Sequence, residues 1–202
     1  MSSPIHLGPR FRDAFLFAAD KHATQTRKKT TVPYISHLMA VTALVLEAAG
    51  DEDQAIAALL HDVVEDCGGA PMLEELRARF GDRVAHIVEG CTDAWIHPKP
   101  PWKQRKLDYL EHLRHADADI RLVSAADKLH NARTILHDLR VHGEPVFSRF
   151  AGGRDGTLWY YRAVLDVLRN GHPNPLIPDL ARVVAELEAL AAQTPANPAS
   201  RA

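Results

Sequence analysis

The sequence predicts a compact, all-α fold. Apolar residues recur three and four positions apart along almost the whole chain, and few segments alternate as a strand would. Helix-ending and helix-starting residues punctuate that pattern. The spacing places helices over about 9–24, 35–49, 52–66, 71–80, 82–94, 102–115, 118–140, 156–171 and 176–194. The first rests on spacing alone. The second carries the run Leu38-Met39-Ala40-Val41, and Gly50 stops it. Asp51 then caps the third, whose apolar run is Ala55-Ile56-Ala57-Ala58-Leu59-Leu60. Cys67-Gly68-Gly69-Ala70-Pro71 ends that helix and starts the fourth. Pro71 suits a first helical position, where no N–H is needed. After the fifth, His97-Pro98-Lys99-Pro100-Pro101 forms a rigid loop leading into the sixth. The seventh holds the apolar run Leu122-Val123-Ser124-Ala125-Ala126. A longer glycine-containing loop, Gly143 to Gly156, precedes the last two.

With 202 residues the chain is long enough for one domain with a sizeable core. Residues 1–194 are read as that domain, and the Ala/Pro/Ser-rich residues 195–202 as a disordered tail. There is no internal repeat. A formal net charge of −2 marks neither a nucleic-acid binder nor a membrane-surface binder. No uncharged apolar run approaches the ~18 residues of a spanning helix. The start, Met1-Ser2-Ser3-Pro4-Ile5-His6, lacks the layout of a signal peptide. Two cysteines, Cys67 and Cys91, do not make a disulfide framework, and a reducing cytoplasm is the expected setting. Twelve histidines mean that no single one argues for a site by itself.

Chemistry enters where polar residues interrupt apolar runs. His61-Asp62 closes the run 55–60, His37 opens the run 38–41, and Asp127 follows the run 122–126. Burying such groups is costly unless something binds them. The order His37, His61-Asp62, Asp127 reads as one metal site built on three helices. On a continuous helix, His61, Asp62, Glu65 and Asp66 fall at about 0°, 100°, 40° and 140°, one polar arc. A solvated helix end is the alternative, but it would put carboxylates at the negative end of the helix dipole. Asp127, Asn131 and Thr134 form a second narrow stripe on a helix that otherwise reads as buried, with Lys128 beside it. Two histidines and two aspartates suit Mn²⁺, Fe²⁺ or Co²⁺, with Zn²⁺ also possible. A six-coordinate ion would keep two positions for water and a phosphate oxygen. Glu65 and Asp66 would then be within reach as acid or base. Upstream, Arg27-Lys28-Lys29 could hold a polyphosphate or stack on a purine, or could be an ordinary solvated run.

Four segments carry a resemblance: His22-Ala23-Thr24-Gln25-Thr26-Arg27-Lys28, Pro33-Tyr34-Ile35-Ser36-His37, Ala58-Leu59-Leu60-His61-Asp62-Val63-Val64-Glu65-Asp66, and Asp127-Lys128-Leu129-His130-Asn131-Ala132-Arg133-Thr134. Over about residues 9–170 the chain resembles the hydrolase domain of the RelA/SpoT family of HD-domain metal phosphohydrolases, in a small free-standing form. The resemblance implies a compact multi-helix HD fold. It implies Mn²⁺-dependent hydrolysis of the 3′-pyrophosphate of guanosine tetra- and pentaphosphate (ppGpp and pppGpp), giving GDP or GTP and pyrophosphate. It implies His37, His61, Asp62 and Asp127 as ligands of one Mn²⁺ ion, and Glu65 and Asp66 as the pair that positions or activates water. It implies Arg27 and Lys28 at the base, Asn131 and Thr134 near ribose and phosphates, and a pocket tyrosine, Tyr160 in preference to Tyr161. Some positions depart from the family text. Leu38 stands where proline often follows the first histidine, Thr30-Thr31-Val32 replaces Gly-Glu, and Lys128 stands where arginine is common.

Two other readings stand beside this one. One is a different HD phosphohydrolase, acting on adenine alarmones, the 2′-phosphate of NADPH or nucleoside monophosphates. The other is a non-catalytic alarmone sensor, against which the retained Glu65 and Asp66 argue. In each the partner is a small molecule, neither nucleic acid nor membrane. No oligomeric state is assigned. His137-Asp138 is a second HD dipeptide, but eleven residues of helix put Asp138 ~16 Å beyond Asp127, too far to share an ion. His112 and His115 read as surface residues, Trp95, Trp102 and Trp159 as packing anchors, and Gly152-Gly153 as a weak phosphate signal.

Overall fold

One expected helix is two. The computed structural model describes residues 5–94 and 98–193. Its helices are α1 (Pro9–Lys21), α2 (Ile35–Glu47), α3 (Glu52–Leu60), α4 (Val63–Cys67), α5 (Gly69–Phe80), α6 (Asp82–Cys91), α7 (Trp102–His115), α8 (Ala118–His142), α9 (Gly153–Arg169) and α10 (Ile177–Gln193). The helix expected over 52–66 breaks at His61-Asp62. The Nδ1 of His61 lies 2.8 Å from the Ala58 carbonyl, the acceptor that the Asp62 N–H would need for the helix to continue. Asp62 then sits at φ −101°, ψ −6° and opens α4. The single polar arc of the sequence reading is therefore corrected to two short faces joined at a turn.

Other boundaries shift for local reasons. α5 starts at Gly69, which takes a positive φ of 61°, and Pro71 falls in the first turn rather than at its first position. The 143–156 loop contains a 3₁₀ turn over Glu144–Arg149, and α9 begins at Gly153. Trp95 and the 195–202 tail lie outside the described residues. Among those residues there is no strand, only a lone antiparallel bridge between Thr26 and Pro33. No described helix is long and apolar enough to cross a membrane.

The core sits around α8, which packs against α2, α3, α6, α9, α10 and the 3₁₀ turn. Every residue from Ile120 to Asp127 is buried, so this half of α8 is covered on all sides. Close approach of α6 requires Gly90, where a Cβ would come within 2.4 Å of the Ile120 side chain. α1, α2 and α3 pack on one another, and α2 and α3 also reach α8. That convergence puts the start of α2, the end of α3 and the middle of α8 at one point.

Candidate functional site

His37 lies in the first turn of α2, His61 follows the last residue of α3, and Asp127 lies within α8. All three are buried. Each offers one ligand atom, and these atoms lie within 4.8 Å of one another. The Nε2 of His37 is 3.2 Å from Asp127 Oδ1, and the Nε2 of His61 is 3.7 Å from the same oxygen. Asp62 borders this group through the two histidines: its Oδ2 is 3.0 Å from His61 Nε2 and 3.7 Å from His37 Nε2.

This donor set fits a divalent cation. His61 Nδ1 faces a carbonyl and must donate, so the neutral ring, the form that binds a cation, has its lone pair at Nε2. That Nε2 is buried and has no hydrogen-bond partner. Two imidazole nitrogens and carboxylate oxygens pressed together below 4 Å are what a first-row divalent ion binds. The His–His–Asp triad is thus capable of metal coordination.

Electrostatics keep both aspartates ionised. Burial alone would raise the Asp62 carboxyl, but His61 outweighs it and holds Asp62 below the ordinary carboxylate range. Burial likewise opposes ionisation of Asp127, and Lys128, with the two histidines, holds it well below that range. Burial lowers the imidazole of His37, whereas at His61 the Asp62 and Asp127 charges overcome burial and raise it well above its usual value.

A second layer orients these groups. Tyr34 donates its hydroxyl to Asp62 Oδ2 at 2.5 Å. Lys128 and Asn131 donate to the two oxygens of Asp127. His130 Nδ1 lies 2.7 Å from His37 Nδ1. Burial, then the neighbouring His37 and Arg27, push His130 down to about 4, so it is neutral at physiological pH.

A cavity of about 410 Å³ adjoins the triad and counts Asp62, Asp127 and Glu65 among its walls. Arg27, Lys28, Asn131, Thr134, Tyr160 and Tyr161 line it as well. Arg27 donates to Asn131 Oδ1 at 2.5 Å and sits 5.6 Å from the centre of the Tyr34 ring. Lys28 stands over Phe150 at 5.9 Å. Thr134 donates its hydroxyl back to the His130 carbonyl. Both tyrosines contribute to the wall, and the Tyr160 hydroxyl is buried with no partner.

Glu65 and Asp66 are separated. Glu65 faces the cavity and accepts from Lys99 Nζ at 2.7 Å and from the Asp93 N–H at 3.3 Å. Asp66 is exposed and is not part of that wall; it accepts from Gln25 Nε2 at 2.7 Å.

Several residues of the site escape a sequence reading. Tyr34 and His130 carry a positional signal, since each lies three residues from a ligand-type residue and so shares its side of the chain. Asp93, with Arg105 and Lys106 donating to it, carries none, because α7 brings these cations to the cavity from a distant part of the chain. Asp138 stays out of the triad, yet it pairs with Arg149 in the cavity wall. Trp102 packs edge-to-face on Trp159 and also lines the cavity. Gly152 serves this indole: a Cβ there would come within 2.5 Å of the Trp102 ring.

Residues 14–158 match the HD domain family. Over 126 residues the chain is 40% identical to guanosine-3′,5′-bis(diphosphate) 3′-pyrophosphohydrolase MESH1 of Xenopus tropicalis, covering 61% of this chain and 68% of that protein. It is 40% identical over 125 residues to a probable guanosine-3′,5′-bis(diphosphate) 3′-pyrophosphohydrolase of Synechocystis, covering 60% of this chain but only 16% of that longer protein. Among solved structures, a metazoan ortholog of SpoT described as hydrolysing ppGpp superposes with a TM-score of 0.72 at 30% identity, over 92% of this chain and 98% of that one. A Listeria monocytogenes protein superposes with a TM-score of 0.66 at 30% identity, over 73% and 96%.

Proposed function

The chain belongs to the HD-domain family, closely related to the RelA/SpoT-type ppGpp hydrolases, and on that footing we propose that it hydrolyses the 3′-pyrophosphate of guanosine alarmones. Water adds to the phosphorus nearest the ribose, the bond to O3′ breaks, and GDP or GTP leaves with pyrophosphate. The observation that carries this reading is the shared wall: Asp62 and Asp127 border both the cation-binding cluster and a cavity of the size that holds a small ligand.

In this proposal His37, His61, Asp62 and Asp127 hold one Mn²⁺. When bound, such an ion supplies positive charge to the phosphoryl oxygens and a more acidic water. The chain's own groups supply the rest. Glu65 is held in the wall by Lys99 and the Asp93 N–H, where its carboxylate can take a proton. Asp66 is the second carboxylate. Partial desolvation of its carboxyl raises its pKa, the Gln25 hydrogen bond opposes that, and the Asp62 and Glu65 charges tip the balance upward, which suits a group that exchanges protons. Arg27, tied to Asn131 and facing Tyr34, offers a flat cation to a purine base, with Lys28 beside it. Tyr160 offers an unspent hydroxyl to the ribose or a phosphate. Both cysteines are free, which accords with action in a reducing cytoplasm.

The test is release of GDP and pyrophosphate from ppGpp by purified protein with Mn²⁺, with Mg²⁺ and with EDTA. Equal amounts of both products, dependent on Mn²⁺, are expected. Tight binding without release would overturn the reading in favour of a sensor. Release of inorganic phosphate from other nucleotides would overturn it in favour of a different HD phosphohydrolase.

A further inference from the structure

One buried histidine near the site has no role in the reading above. His22, at the end of α1, is 2% exposed. Its ring stacks on Tyr34 with centroids 5.1 Å apart and planes 26° apart. Its Nδ1 is 2.6 Å from Gln25 Oε1, and Gln25 Nε2 is 2.7 Å from Asp66 Oδ2. Hydrogen-bond logic fixes the whole chain of contacts. A carboxylate can only accept, so the amide nitrogen of Gln25 must face Asp66. Its oxygen then faces His22, which must donate from Nδ1. The order is His22 Nδ1–H to Gln25 oxygen, and Gln25 N–H to Asp66 oxygen.

Gln25 also stands at the base of the basic loop. Its carbonyl accepts from the Tyr34 N–H at 2.9 Å, the Arg27 N–H donates to the Val32 carbonyl at 2.8 Å, and Thr26 bridges to Pro33. The segment bearing Arg27 and Lys28 is thus closed at its neck, beside the side chain that grips Asp66. Tyr34, stacked on the same His22, grips Asp62.

We propose that Gln25, oriented by His22, is a positioning residue for Asp66 that joins the basic loop to the α4 carboxylate. This inference rests on the alarmone-hydrolase reading. Asp66 is exposed, and among the described residues Gln25 is the side chain that hydrogen-bonds it, so the Gln25 N–H selects its rotamer. The effect belongs to turnover, since Gln25 touches none of His37, His61 or Asp127 and does not line the cavity.

Gln25→Glu separates this role from a merely structural one. A glutamate keeps the shape and still accepts from His22 Nδ1–H, but it turns the contact with Asp66 from donation into repulsion. Gln25→Ala removes both contacts. Each variant is compared with wild type for kcat and KM of pyrophosphate release from ppGpp at saturating Mn²⁺, for Mn²⁺ affinity and for Tm. The ¹⁵N signals of His22 report its tautomer. Both variants should lose about tenfold or more in kcat, with KM within about twofold and Mn²⁺ affinity unchanged. In Gln25→Glu the Nδ1–H signal of His22 should match wild type, and the Tm should fall by no more than it does in Gln25→Ala. A Gln25→Glu enzyme with wild-type kcat overturns the inference, as does a loss of kcat matched by an equal loss of Mn²⁺ affinity. A wild-type protein that releases no pyrophosphate removes the functional reading itself, and this inference with it.

Discussion

The imidazole of His130 meets that of His37 nitrogen to nitrogen, Nδ1 to Nδ1, at 2.7 Å. One of the two must donate. For His37 to present a lone pair at Nε2, towards Asp127, its Nδ1 must carry the hydrogen and His130 must accept. His130 can accept because burial and its neighbours keep it neutral. It therefore sets the tautomer of the first proposed metal ligand.

Removing that acceptor is expected to weaken metal binding. His130→Ala should reduce Mn²⁺ affinity about 10–100-fold, as losses of such outer partners do. His130→Asn, which keeps an oxygen acceptor at about the same reach, should recover most of it. Titration with Mn²⁺ in the presence of a competing chelator measures both. Equal affinity for His130→Ala and wild type would show that His37 needs no partner.

Lys128 gives a prediction of opposite sign. Its ammonium pairs with Asp127 in a setting where both side chains are nearly buried, at 13% and 11% exposure. Burial alone would lower its pKa, but Asp127, Tyr109 and Tyr160 overcome this and keep it charged. Lys128→Met leaves a buried carboxylate short of one cation, and breaking such pairs costs about 3–5 kcal/mol. A divalent ion at the triad compensates the same carboxylate. The variant's melting temperature should fall steeply in EDTA and much less with Mn²⁺. Identical falls in both conditions would show that Lys128 and the ion act independently.

How much of this was legible in the sequence depends on the range of the interaction. The helical class, the positions of His37, His61 and Asp127, and the stripe from Asp127 to Thr134 follow from local periodicity, which one chain displays directly. The break at His61-Asp62 was hidden because it arises from a side chain capturing a backbone carbonyl, and helical spacing carries no sign of that. Gly152-Gly153 reads as no more than a weak phosphate signal, whereas Gly152 makes room for Trp102, fifty residues upstream. The split of Glu65 from Asp66 was equally invisible, since it depends on partners from two distant segments: Gln25, and the α6–α7 connection with Asp93 and Lys99.

Arg121 is a buried cation held by carbonyls. It is 2% exposed and donates to Leu113 O at 2.7 Å, Val167 O at 2.7 Å and Leu168 O at 3.0 Å. Those carbonyls belong to the last turns of α7 and α9, where the helix dipoles are negative. One guanidinium fork thus closes two helix ends at once. Arg121→Met should cost about 3 kcal/mol or more, because it orphans three buried acceptors. Arg121→Lys should recover little, since an ammonium cannot span the two helix ends as the fork does. Urea unfolding measures both. Full recovery by lysine would mean that charge alone matters.

The cap of α3 should make part of the stability depend on pH. Asp51 Oδ1 accepts from the Gln54 N–H at 3.0 Å, Gln54 Oε1 accepts from the Asp51 N–H at 2.8 Å, and Arg83 donates to Asp51 Oδ2 at 2.7 Å. Burial tends to raise the Asp51 carboxyl, but the Gln54 N–H and Arg83 outweigh it, so its pKa lies below the ordinary value in the folded chain. A folded pKa below the unfolded one means that the unfolded chain binds the proton more readily. The contribution is therefore complete above the unfolded value of about 3.9 and is lost as pH falls through the folded value. At pH 7, Asp51→Ala should cost about 1 kcal/mol, most of it from the cap, because the Arg83 pair is half exposed. Asp51→Asn keeps a capping oxygen without the charge and should lose less. Below about pH 4 the wild-type advantage over Asp51→Asn should shrink as the carboxylate takes up its proton. Urea unfolding of the three proteins from pH 7 to pH 3 decides it, and an advantage that stays constant over that range would assign the stability to the hydrogen-bonded cap alone.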